Sequence, residues 1–144
     1  MNFPLSHAYE TKLVVALAGE LTLLSGAGPG PLVRTGQAVL VVPGTAHRVA
    51  QHGGQPAMVG VALWPGAVEE AFRALDRAVA RGGFERAAVA ALFARHGVRW
   101  DAAVAPDAHA APLAVTTFQA AAQALPPMLR ERLAACWRGW LPAA

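Results

Sequence analysis

The stretch Gly36–His47, GQAVLVVPGTAH, decides the fold. A glycine opens it, a run of valine and leucine follows, a Pro-Gly pair closes the run, and one histidine comes next. Valine-rich runs bounded by glycine and proline read as short strands between tight turns. Gly36 permits the sharp entry into the strand, and Pro43-Gly44 turns the chain out of it. A histidine just past such a turn has three readings: a metal ligand, a catalytic group, or the polar end of a strand.

The same pattern repeats on both sides. Lys12–Ala18, Glu20–Leu24, Ala38–Val42, Arg48–Gln51 and Ala57–Trp64 are all rich in valine, leucine and alanine. Gly19, the Gly26–Pro31 run, Pro43-Gly44 and Gly53-Gly54 separate them, with Gly28–Pro31 as a stiff hairpin region. Several short strands at this spacing predict a small barrel or jelly roll over residues 1–65.

From Pro65 the period changes. Gly66–Arg81 carries Val68, Ala71, Phe72, Leu75 and Val79 at helical spacing, with Glu69 and Glu70 in the first turn, where the helix dipole favours them. Gly82-Gly83 stops that helix. A second is expected over Glu85–Arg95, with His96 as a dipole partner at its C-terminal end. Asp101–Pro112 reads as an Ala/Pro-rich loop. A third helix is expected over Val115–Leu125, and Pro126-Pro127 opens a fourth over Met128–Trp140. Trp137 and Trp140, three apart, mark a packing face. The fold class is therefore α+β: a mainly β N-terminal half followed by α-helices over residues 66–144, packed as one structural domain.

Composition narrows the function classes. The chain has 144 residues, 55% of them hydrophobic, which is enough for a packed core. The pI is about 10.0, yet the eleven arginines are scattered and interleaved with acidic residues, so no nucleic-acid footprint is expected. Lysine occurs once, at Lys12. Cys136, the single cysteine, excludes an internal disulfide and any multi-cysteine metal site, and reads as a buried small hydrophobe. No apolar run is long enough to cross a membrane, and MNFPLSHAYE lacks the basic start and apolar core of a signal peptide. A cytoplasmic protein is expected, with no membrane partner.

Gly36, Gly44 and His47 resemble the second motif of the cupin superfamily, with Val42 where its first proline would stand. The segment HAYETKLVVALAGELTLL, through Gly19, is similar to the later part of the first motif, and residues 66–100 resemble the helical extension of small bacterial cupins. The likeness spans roughly residues 5–100. It implies a small barrel with an interior pocket and a homodimer.

In metal-binding members, two histidines and a glutamate from the first motif join one histidine from the second. Counted back from Gly19, the glutamate position falls on Lys12, and His7 alone survives of the first pair; Glu10 stands nearby. The resemblance therefore implies a ligand pocket of His7, Lys12, His47 and Glu10 for an unidentified small molecule. No metal is favoured at that pocket; a divalent transition metal, if bound, would take His7, His47 and Glu10. A protonated lysine repels such a cation, whereas Lys12 and His47 together attract a carboxylate or transfer a proton. The expected function is metal-free small-molecule binding. The alternatives are a metal-dependent enzyme (dioxygenase, isomerase or decarboxylase) and the sensor module of a transcription regulator. His52 reads as an exposed turn residue, and His109 lies in the Ala/Pro loop.

Overall fold

The structure, a computed structural model, describes residues 5–25, 30–66, 68–100 and 112–141. The N-terminal half is mainly β. Its strands are β1 (Leu5–His7), β2 (Thr11–Ala18), β3 (Glu20–Leu24), β4 (Leu32–Arg34), β5 (Gln37–Val41), β6 (Arg48–Gln51) and β7 (Met58–Trp64). Helices α1 (Val68–Ala80) and α2 (Arg86–Arg95) follow, then β8 (Val98–Trp100), β9 (Val115–Thr117), α3 (Phe118–Ala122) and α4 (Pro127–Trp137). The sheets are open ladders: β7-β2-β5-β9, β4-β3-β6, and the pair β1-β8. All pairings are antiparallel. The α+β reading holds.

Strand β2 explains why two layers form. Its residues alternate between faces and both faces are buried. Leu13, Val15 and Leu17 point to one side, packing with Ala38, Ala62, Phe118, Ala121, Ala122 and Leu125. Val14 and Ala16 point to the other, where with Val39 and Val41 of β5 they meet Leu21, Leu23 and Val33 of the facing sheet. A strand buried on both faces reads as a near-continuous apolar run, as LVVALA does. Lys12 lies on the same side as Val14 and Ala16, so its side chain starts toward the space between the sheets, at the end of the layer.

The second half differs from an all-helical extension. Val98–Trp100 pairs with β1, and Val115–Thr117 pairs with β5. The expected helix over Val115–Leu125 begins only at Phe118, because Val115-Thr-Thr is β-branched and Thr117 is a capping residue. Its hydroxyl accepts the Ala120 N–H at 3.1 Å. The second half of the chain thus contributes a strand to each of these two sheets. The expected loop Asp101–Pro112, His109 included, lies outside the described residues apart from Pro112, as do Gly26–Pro29 of the hairpin region.

Helix α4 presents Leu129, Leu133 and Trp137 to the outer face of the four-stranded sheet. Trp137 also meets Phe118 edge-on, with centroids 5.7 Å apart. Cys136 is exposed rather than buried, since it falls off that narrow stripe, and Trp140 is exposed as well. Gly60 on β7 makes room for the indole: a Cβ there would lie 2.8 Å from Cζ2 of Trp137. Gly60→Ala is therefore expected to push Trp137 off the sheet and destabilise the fold by about 1–3 kcal/mol. A lowered urea midpoint, with the tryptophan emission shifted to the red in the native state, checks this.

Candidate functional site

The site forms where β1, the start of β2 and the turn before β6 converge. Strand β1 is held by β8 on one side and by His47 on the other: Leu5 and His47 exchange both backbone hydrogen bonds at 2.9 Å. The Gly44 N–H donates to the His7 carbonyl at 2.8 Å. Gly44 itself turns with a positive φ of 82°, a conformation that favours glycine. The Pro-Gly turn of the opening motif thereby docks against β1 and brings His47 beside His7. Their ring centroids are 5.8 Å apart and the planes are inclined at 33°. Both histidines are buried, at 3% and 1% exposure.

Lys12 completes the group. Its Nζ lies 3.0 Å from Nε2 of His47, while Nδ1 of His47 lies 3.0 Å from the Thr45 carbonyl. A carbonyl only accepts, so Nδ1 carries the ring proton and Nε2 presents its lone pair to the lysine, which donates. Thr45, buried at 3%, is the one member of the arrangement that sequence reading missed; it acts through its backbone, which leaves no residue-type signal. Both ring nitrogens of His7 are buried without a hydrogen-bond partner among the described residues. A neutral imidazole carries one N–H, so His7 holds an unanswered donor and an unanswered acceptor.

Burial sets the electrostatics. It lowers the Lys12 ammonium to a pKa of about 8. His7 and His47 fall to about 4, first through burial and then through the neighbouring positive charge of Lys12. At neutral pH the histidines are uncharged and Lys12 is mostly protonated. Among the described residues no carboxylate forms an ion pair with Lys12. Lys12 is only partly buried, so the cluster opens to solvent.

Glu10 has a different task. It is 4% exposed, and its Oε1 accepts the Val68 N–H at 2.8 Å, at the first residue of α1. A carboxylate there answers one of the unpaired N–H groups that every helix N-terminus leaves. Among the described residues, no three histidine, cysteine, aspartate or glutamate side chains are grouped to hold a metal ion. Glu10→Ala is expected to cost about 1–2 kcal/mol by orphaning the buried Val68 N–H. Amide exchange should show the first turn of α1 opening before the sheets do.

Two further histidines, His52 and His96, stand apart. His52 is exposed, 3.2 Å from the Thr22 hydroxyl, and His96 caps the C-terminus of α2, as expected. A groove of about 490 Å³ between α1 and α2 is lined by Ala74, Ala78, Leu92, Arg77, Arg81 and Arg95, among others. It holds none of the clustered residues, and Arg77 is already paired with Glu70 at 2.7 Å. No helix is long and apolar enough to cross a membrane among the described residues.

No known family model matches the chain, and no curated protein matches its sequence.

Proposed function

We propose that this chain is a cupin-like small-molecule-binding protein that works without a metal, its site lined by His7, Lys12 and His47 and taking an anionic group such as a carboxylate. One observation carries the reading: a half-buried ammonium, 3.0 Å from a histidine nitrogen, has no counter-carboxylate among the described residues. An ammonium taken from water without a partner is costly, and an incoming anion removes that cost. The unanswered N–H of His7 adds a neutral donor to the same anion. Glu10, which a metal site would need, is engaged at the end of α1.

Calorimetric titration with lactate tests the reading at pH 7 and pH 9.5. Binding is expected at pH 7 and at least tenfold weaker at pH 9.5, because Lys12 loses its charge above about 8. Lys12→Met is expected to abolish it. Stoichiometric iron, manganese, nickel or zinc in the purified protein, lost in His47→Ala, would instead favour the metal-dependent enzyme.

The same reading includes self-association. The edge strand β7 exposes Met58, Val59 and Val61 and carries no charge, a combination that monomers usually guard against. Sedimentation equilibrium should find a dimer.

A further inference from the structure

We propose that Lys12 is a nucleophilic amine that condenses with the carbonyl group of a 2-oxo acid to form an imine. The inference rests on the anion-binding reading of the same site and adds a covalent step to it.

Three observations carry it. The first is geometric. A nucleophile, a base within hydrogen-bonding reach, and a third group that orients the base form the recurring arrangement of covalent catalysis. Here Lys12 Nζ stands 3.0 Å from His47 Nε2, and the Thr45 carbonyl fixes the ring with its proton on Nδ1. The second is compositional. Eleven of the twelve cationic side chains are arginine, and the one lysine is the residue set against His47. An arginine would serve as well for charge alone, and its guanidinium grips a carboxylate better. Only the amine forms an imine. The third is burial: withdrawal from water lowers the Lys12 amine to about 8, so that about a tenth of it is neutral at pH 7, far more than for an ordinary lysine.

The chemistry balances without an oxidant or a cofactor. Lys12 gives up one proton and its nitrogen lone pair adds to the carbonyl carbon, while the carbonyl oxygen takes a proton. The resulting carbinolamine loses that oxygen as water, and the nitrogen sheds its remaining proton as the C=N bond forms. His47 Nε2 is placed to accept a proton from the nitrogen and return it to the departing oxygen. A 2-oxo acid suits the site because its carboxylate lies one bond from the carbonyl carbon. The His7 N–H, buried and without a partner, is the donor available to that carboxylate.

The single lysine makes the test direct. The full-length protein is incubated with pyruvate and borohydride at pH 7, and the reduced adduct is located by peptide mass spectrometry. Only the α-amino group and Lys12 can react, and the α-amino group serves as the internal reference. Trapping at Lys12 is expected to run more than tenfold faster in the folded protein than in urea, where the amine returns to its ordinary range. His47→Gln should slow it, and Lys12→Arg should leave only the terminal adduct.

Lactate, which keeps the carboxylate but lacks the carbonyl, separates the two readings. Lactate bound with Lys12 trapped no faster than in urea overturns the imine and leaves the anion site. Trapping without lactate binding supports the imine and overturns the anion site. Failure of both overturns both.

Discussion

Lys12→Met should make the folded protein more stable at pH 7 and less stable at pH 10.5. The sign follows from the proton balance. In the unfolded chain the lysine holds its proton up to about 10.5, whereas in the folded chain it releases it near 8. Between those values the unfolded state binds more protons, so raising the pH favours folding. The shift corresponds to about 3 kcal/mol, present as a penalty below pH 8 and relieved above pH 10. Methionine fills a similar length without charge. Its own cost is the loss of the donor to His47 Nε2, about 1–2 kcal/mol for a buried acceptor left unmet. The variant should therefore gain about 1–2 kcal/mol at pH 7 and lose a similar amount at pH 10.5. Urea unfolding at both values checks the crossover, and parallel curves for the two proteins would remove Lys12 from the buried cluster. A residue that weakens the fold at neutral pH, and whose removal also abolishes lactate binding, is placed for function rather than stability.

The strands around this site are partly legible in the opening motif. Gly36, Pro43-Gly44 and the valine run are local signals, and the strands they bound are observed within a residue or two. Phase is legible because β2 alternates faces, so Lys12 could be counted onto the side of Val14 and Ala16. The meeting of His7 with His47 was not legible from spacing alone. It depends on the Leu5–His47 bridge and the bond from Gly44 to His7, which join segments forty residues apart through backbone groups. Glu10 shows the same limit in reverse. Three residues from His7 it looks like a pocket group, yet its partner is the N-terminus of a helix fifty-eight positions away. The short strands β1, β4, β8 and β9 are not legible, because three residues are too few to show a period. The last two exist because β1 and β5 have edges that need partners.

The largest pH effect is expected on the acid side. His7 and His47 titrate near 6.5 when unfolded and near 4 when folded. As the pH falls from 6.5 to 4, the unfolded chain takes up protons that the folded chain refuses, so stability is lost across that window. Each histidine corresponds to about 3 kcal/mol if independent. Because each ring's low value owes something to Lys12, the two together are worth several kcal/mol rather than the plain sum. That is a large part of the roughly 5–15 kcal/mol a domain has. The exposed Glu70 carboxyl is held below the usual carboxylate range by its hydrogen bond to Arg77. The wild-type protein should accordingly unfold between pH 6 and pH 4. His7→Gln, which removes one titrating ring and keeps a polar side chain, should flatten roughly half of the slope and move the acid midpoint down. Circular dichroism during stepwise acidification measures both. A wild-type protein as stable at pH 4.5 as at pH 7 would mean that the two rings are hydrated and that His7 and His47 are not buried beside Lys12.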